Sequence, residues 1–278
     1  MSAIAIAINW RDKPAKQSVM DKVNACVRHR CPDGSWVWVD GSVGMAQADL
    51  AILPEDKPGA PVVSGSLRIV ASCRIDNRDE ITTALPVDCR PVSGTDAALI
   101  LAAYEAWGEA CAERLIGDFA FAIWDDTRRM VYAARDISGV RTLFYYSDST
   151  RLFLASERAQ ILQDSSIPYE IDEDQMIEYL TPTYQMSTGW DQGLFRGFHA
   201  LPAGSYLTAS DGRVCVRSFW EWREQAPERR SEDEVLEMYL HHLREAIRCR
   251  MRSQGPVGIE LSGGLDSSAI ACLAAQIS

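Results

Sequence analysis

The residues best equipped for chemistry lie late in the chain, in the run Ser262-Gly263-Gly264-Leu265-Asp266-Ser267-Ser268. An apolar stretch over 257–261 leads into it, and an alanine-rich helical pattern over 269–275 follows. That order reads as strand, tight loop and helix start. A helix start presents unpaired backbone N–H groups and a partial positive charge, which suits an anion. Gly263 and Gly264 let the backbone approach a ligand closely. Ser262, Ser267 and Ser268 add hydroxyls. Asp266 would repel a bare phosphate, but it fits a phosphate that carries magnesium. The run lacks the lysine of G-x-x-x-x-G-K-[ST], so it is not a Walker loop. The bland alternative is a helix cap with a glycine turn that binds nothing.

The elements that hold such a loop need a domain around them. The chain has 278 residues, enough for one large or two medium domains. Its net charge of -11 argues against nucleic acid or an anionic membrane as a general partner. No apolar run reaches membrane-spanning length, and residues 2–8 lack the basic start of a signal peptide. Eight scattered cysteines form no C-x-x-C, so reduced and mostly buried thiols in a cytoplasmic protein are expected. His241 and His242 read as a solvated pair rather than a metal site.

In chain order, residues 2–8 suit a buried strand. A loop covers 12–17, a short helix 19–28, and a hairpin joins 35–40 to 43–48 across Asp40-Gly41. Residues 50–53 read as a short strand and 67–72 as a longer one. Asn77 opens a short helix. Ser93 or Thr95 caps a helix that carries Ile100, Ala103, Tyr104, Trp107 and Cys111 on one face. Hairpins are expected between 118–124 and 130–135, between 143–146 and 151–155, and across Asp211-Gly212. Short helices fit 156–162 and 172–180. A charged stretch over 223–230 marks a domain boundary. Ser231-Glu232-Asp233-Glu234 is a capping box. The helix it opens should bury Val235, Leu236, Tyr239, Leu243, Ala246 and Ile247.

With those residues laid out, the Gly-Ser run resembles the S-G-G-x-D-S pyrophosphate loop of ATP pyrophosphatases. Its L-S-G-G-L-D-S-S form is similar to that of the asparagine synthetase family. The front of the chain carries the same resemblance. His29-Arg30-Cys31-Pro32-Asp33 is similar to H-R-G-P-D, and residues 117–125 to G-x-F-A-F-A-I-W-D. Residues 134–141 resemble A-R-D-x-x-G-x-[KR]; 153–157 and 194–204 match two further segments of the family's amidotransferase domain. The resemblance implies an α+β fold. Residues 1–222 would form an N-terminal-nucleophile sandwich of the αββα type. Residues 223–278 would form the first helix–strand–loop–helix of an adenine-nucleotide α-hydrolase-like domain. It further implies ATP and magnesium, with Leu261, Ser262, Gly263, Gly264, Leu265, Asp266, Ser267 and Ser268 at the nucleotide and Asp266 on the metal.

The departures from the family point to function. Family members start Met-Cys-Gly and use the freed cysteine as nucleophile; here Ser2 stands in its place, and a hydroxyl depends on a well-placed base. The family's glutamine-binding arginine aligns with Asp49. Its Asn-Gly-Glu aligns with Ser72-Cys73-Arg74. Asp96 alone keeps its identity. No working glutaminase and no catalytic residue of the front domain are expected. An amide ligase whose amine comes from its own substrate follows, as in lasso-peptide cyclases and β-lactam synthetases. The partners would be a small-molecule or peptide carboxylate, a leader peptide or protease protein, or a second copy of the chain. Two alternatives stay open: asparagine synthesis from ammonia or glutamine, and a non-catalytic scaffold or peptide-binding module. The chain stops ten residues after Ser268, so no ligase activity is expected of these residues alone. The 257–261 strand should lack a neighbour, and the last helix should expose an apolar face.

Overall fold

The protein was described from a computed structural model, which covers residues 1–10, 13–181, 193–224, 226 and 229–277. Asp12 in the expected first loop, and positions 225, 227 and 228 in the expected boundary, lie outside the described residues. The chain divides into two compact units. The first comprises Met1–Ala51 and Lys57–Glu221, the second Ile52–Asp56 and Trp222–Ser278.

The first unit holds two antiparallel six-stranded sheets. One runs in the order β10 (Phe198–Ala200), β8 (Phe144–Ser147), β9 (Arg151–Ala155), β1 (Ala3–Asn9), β3 (Val43–Asp49), β2 (Gly34–Asp40). The other runs β12 (Arg213–Ser218), β11 (Ser205–Ser210), β7 (Met130–Arg135), β6 (Gly117–Asp125), β5 (Leu67–Ile75), β4 (Val62–Ser64). Period-two alternation sorts the side chains into layers. Ile4, Ile6 and Ile8 of β1 meet Ala120, Ala122 and Trp124 of β6 between the sheets. Phe119, Phe121 and Ile123 of β6 point the other way and pack with α3 (Asp96–Trp107). Ala5 and Ala46 face α1 (Gln17–Ala25) through Met20 and Val23. The result is an αββα sandwich, whose inter-sheet isoleucines each contribute about 1.5–3 kcal/mol by burial.

The hairpins fall where their turn residues place them. Asp211 and Gly212 join β11 to β12 with φ values of 48° and 77°, a geometry that favours glycine, asparagine and aspartate. The β2–β3 turn sits one residue later than expected, on Gly41 and Ser42, because Asp40 pairs with Val43. Thr95 is the cap of α3, its Oγ1 accepting from Ala98 N. α3 is buried on nearly every side, not along one stripe, and Cys111 lies beyond it in a 3-10 turn. Short helices α2 (Arg78–Ala84), α4 (Arg158–Ile161) and α5 (Glu173–Leu180) complete the unit.

Two corrections arise here. Residues 50–53 form no strand. Their backbone N–H groups go to carboxylates instead: Ala51 N to Asp33 Oδ2, and Ile52 N and Leu53 N to Asp56 Oδ2, each at 2.8 Å. The thiols are free but not mostly buried; Cys31 and Cys111 are buried, whereas Cys215 and Cys272 are exposed.

The second unit is built on α6 (Glu232–Arg250) and α7 (Leu265–Ile277). Ser231 and Glu234 form the reciprocal capping box. Ile247 is the one buried residue described in α6, while Val235, Leu236 and Tyr239 are 53%, 54% and 62% exposed. Of the expected stripe, Ile247 is buried and Leu243 half-buried, whereas Val235, Leu236, Tyr239 and Ala246 are exposed. Residues 257–261 are not a strand either. A strand is stabilised by neighbours across the ladder, and none pairs with this segment among the described residues.

Candidate functional site

Two places carry the residues singled out by the sequence, one in each unit. The first lies at the head of β1. Ser2 Oγ accepts from Leu50 N at 3.2 Å, and no side-chain base is bonded to it among the described residues. The Met1 carbonyl accepts from Cys31 Sγ at 3.2 Å and from Arg30 Nη2 at 3.4 Å. Arg30 also pairs with Glu157. Burial pushes the Cys31 thiol up and the Met1 amine down from their ordinary values. The thiol is thus held protonated and stands as a packing residue in the place of a glycine.

The charged residues that the resemblance groups with Ser2 are met from within the chain. Asp49 is buried; its Oδ1 accepts from Gln47 Nε2 at 2.7 Å and its Oδ2 from Gly59 N at 2.8 Å. Gln47 Oε1 in turn accepts from Ala71 N of β5 at 2.9 Å, tying the two sheets together. Arg74 pairs through Nε with Asp76 at 3.3 Å. Asp96 is 3% exposed; its Oδ2 takes Ile75 N at 2.8 Å and its Oδ1 takes the Arg78 guanidinium. Arg78 Nη2 reaches on to Gly94 O at 2.7 Å. The sequence reading missed Arg78 as a functional residue. Asp96 lies eighteen positions away, and no helical or strand spacing links residues that far apart.

The second place is the Gly-Ser run. The backbone turns at Gly263 with φ 83°, a left-handed conformation that costs glycine nothing. Ser262 Oγ lies 3.1 Å from Ser267 Oγ and accepts from Gly264 N at 3.4 Å. Ser267 Oγ donates to Gly264 O at 3.2 Å, and Ser268 N to the same oxygen at 3.1 Å. α7 therefore begins at Leu265, four residues before the expected pattern, and Asp266, Ser267 and Ser268 all lie in its first turn. Leu261 to Asp266 are exposed, and nothing lies within 4 Å of a Cβ built on Gly263. Small residues, hydroxyls, helix-start N–H groups and one carboxylate fit a magnesium-bearing polyphosphate by donor type. Among the described residues no group of three or more His, Cys, Asp or Glu could hold a metal unaided.

Two sheets between helices, with a hydroxyl residue heading the central strand, define a class-II amidotransferase-type domain of the N-terminal-nucleophile fold. Solved structures bear this out at the level of fold. B. subtilis glutamine phosphoribosylpyrophosphate amidotransferase with ADP and GMP superposes with a TM-score of 0.54 at 12% identity, over 79% of this chain and 49% of that one. The allosteric regulatory enzyme of purine biosynthesis gives 0.56 at 12%, over 78% and 49%. The family model of the glutamine amidotransferase domain matches residues 1–220, and that of asparagine synthase matches 238–278. The chain belongs to the asparagine synthetase family. It is 29% identical over 267 residues to the glutamine-hydrolyzing asparagine synthetase 3 of Bacillus subtilis (strain 168), covering 94% of this chain and 43% of that protein. It is 27% identical over 267 residues to amidase chry2 of Gibberella zeae, covering 90% and 38%. The chain thus spans less than half the length of these relatives. No helix among the described residues is long and apolar enough to cross a membrane.

Proposed function

We propose that the chain forms the front of an ATP-dependent amide-forming ligase whose amidotransferase unit no longer hydrolyses glutamine. The observation that carries this reading is the Arg78–Asp96 pair. In the family resemblance Asp96 is the one glutamine-binding residue retained, and here a guanidinium of the chain itself satisfies it. Ser2 in place of the thiol, Asp49 in place of an arginine and Arg74 in place of a glutamate support the same reading. Ammonia from glutamine is then not the nucleophile. The amine comes from the substrate itself, and the reaction is ring closure to a macrolactam of the lasso type.

In the second unit the Gly-Ser run is the nucleotide site. ATP supplies the activation of a carboxylate, with pyrophosphate as leaving group. Leu261 lies against the nucleotide. The hydroxyls of Ser262, Ser267 and Ser268 and the N–H groups at the start of α7 hold the phosphates. Gly263 and Gly264 would keep the approach clear, and Asp266 would hold a magnesium ion, whose chemistry would be to offset charge on the leaving pyrophosphate.

Two measurements test the reading. Labelled pyrophosphate should exchange into ATP in the presence of a precursor peptide and not of aspartate; exchange with aspartate alone would return the protein to ordinary asparagine synthesis. Calorimetry with ATP and magnesium should give binding that Gly263→Val and Asp266→Ala each weaken at least about tenfold. A silent titration of the intact protein would leave a peptide-binding scaffold as the better description.

A further inference from the structure

A β-strand with one open side is a template for another strand, and most proteins blunt such edges. Among the described residues the two sheets present four edge strands. β4 and β10 are three residues long, and β2 is half-buried along nearly its whole length. β12 is different. It spans six residues, pairs with β11 in an unbroken register from Arg213 to Ser218, and is exposed at every position but Val214. It has neither a proline nor a bulge.

The direction of its free backbone groups follows from one bond. Phe219 N donates to Gly204 O at 2.8 Å, which continues the β11–β12 register. Bonded pairs alternate along an antiparallel ladder. Arg213, Cys215 and Arg217 therefore turn their N–H and C=O groups inward to β11, and those of Val214, Val216 and Ser218 face the open side. Side chains alternate as well. Val214 packs between the sheets, which puts Arg213, Cys215 and Arg217 together on the opposite face. The two arginines lie about 14 Å apart along the strand.

The strand thus carries two cations and no acid, in a chain whose net charge is -11. Arg217 also meets the Tyr206 hydroxyl and the Cys215 sulfur, yet it stands exposed, and a guanidinium has five donors to share. Two such edges joined antiparallel would gather four guanidinium groups on one face, which disfavours a second copy as the occupant. At physiological salt the overall negative charge is screened beyond about 8 Å, so the local cations decide what the edge accepts.

We propose that β12 takes up an extended acidic peptide as an added antiparallel strand. The peptide backbone bonds to Val214 and Val216, and two carboxylates on one face of the peptide meet Arg213 and Arg217. The amidotransferase-type unit is then a docking platform for a peptide, a role that stands whether or not the ligase reading holds.

The probe is the end-blocked, dye-labelled peptide Val-Glu-Val-Thr-Val-Glu-Val, followed by fluorescence anisotropy. It should bind with a Kd below about 1 mM, and the same peptide with lysine in place of glutamate should not. Arg213→Glu combined with Arg217→Glu should weaken binding at least about tenfold. Both side chains are exposed, so the fold should hold. Val216→Pro deletes an N–H on the open side, where an edge strand tolerates proline, and should weaken binding as much. Amide exchange at Val214 and Val216 should slow in the complex, a signature that loose ionic attraction does not give. N-methylation of the peptide at alternate residues probes the backbone bonds without touching the protein; one of the two methylation patterns should abolish binding. The proposal is overturned if the peptide does not bind at about 1 mM, if the lysine peptide binds as well, if the doubly reversed variant keeps its affinity, or if Val214 and Val216 exchange unchanged in the complex. Dimerisation of the free protein through the same amides would equally overturn it.

Discussion

The head of β1 and the Gly-Ser run both gather hydroxyls and carboxylates, yet they are built in opposite ways. In the first unit the charged groups are buried and answered by the chain: Asp96 by Arg78 and Ile75 N, Asp49 by Gln47 and Gly59 N. In the second unit the hydroxyls of Ser262 and Ser267 bond to each other and to Gly264, and the surrounding residues stand exposed. A self-satisfied buried network is hard to open, because any ligand must replace bonds that already exist. An exposed loop of small residues offers its donors at little cost. The contrast teaches that a residue kept by resemblance can be held by partners of its own chain, as Asp96 is by Arg78 and Ile75 N.

Breaking the Arg78–Asp96 pair should have the largest effect. Arg78→Met takes the guanidinium from a carboxylate that is 2% exposed at its side chain and stays bonded to Ile75 N. Loss of one member of a buried pair costs about 3–5 kcal/mol, and Arg78 is itself 23% exposed, which places the expectation at the lower end. Urea unfolding reads it directly. A change below about 1 kcal/mol would mean that the pair is a surface contact in energetic terms, and the comparison would lose its first half. A different variant sharpens the functional reading. Ser2→Cys alone should not be labelled by a glutamine analogue, because Asp96 stays occupied; labelling of that single variant would show the pocket to be open.

The first unit should lose stability at alkaline pH. Burial raises the Cys111 thiol from 9.0 to about 12. The unfolded chain then releases this proton above pH 9 while the folded chain keeps it, so stability is whole below pH 9 and falls as pH rises toward 12. Burial raises Tyr104 as well, from 10.0 to about 12, which steepens the loss above pH 10. Melting temperatures across this window should fall progressively in the first unit. A flat profile from pH 9 to 11 would contradict it.

Helix caps offer a smaller version of the same comparison. Thr95 is buried and its Oγ1 accepts from Ala98 N at 3.2 Å. Thr95→Ala should cost about 1–2 kcal/mol, toward the upper end for caps because the N–H it strands has no water to turn to. Unfolding of Thr95→Ser, which keeps the acceptor, should lie close to the parent.

The part of this architecture that could be read in the sequence is the part set by local rules. The β6–β7 and β11–β12 hairpins follow from alternation and turn chemistry, and the Ser231 box from its four residues. The fold class follows from dispersed family motifs. What could not be read depends on distant partners. Residues 50–53 look like a strand, but Asp33 and Asp56 capture their N–H groups. Residues 257–261 have strand composition but no ladder to join. Val235, Leu236 and Tyr239 have helical spacing, and spacing names a common face without saying what covers it. Ser2, Asp49, Arg74 and Asp96 were singled out by resemblance, whereas Arg78, the partner of Asp96, is joined to it only by the fold.

The capping box of α6 gives the finest test of the contrast. Glu234 Oε2 accepts from Ser231 N at 2.8 Å, while Ser231 Oγ accepts from Glu234 N at 3.3 Å. These bonds, backbone first, hold the Glu234 carboxyl below its ordinary 4.5. A depressed folded value means that the contribution is present above 4.5 and is lost as pH falls through the folded value. Because the box is exposed, the effect is local fraying and not global unfolding. Amide exchange at residues 232–235 should therefore quicken on acidification, after correction for intrinsic rates, while β5 and β6 stay protected. Glu234→Gln keeps a hydrogen-bonding side chain without the titration and should flatten that pH dependence. Equal acid sensitivity in the parent and in Glu234→Gln would show that the box does not govern the start of α6, and that the exposed unit, like the buried one, takes its order from contacts elsewhere.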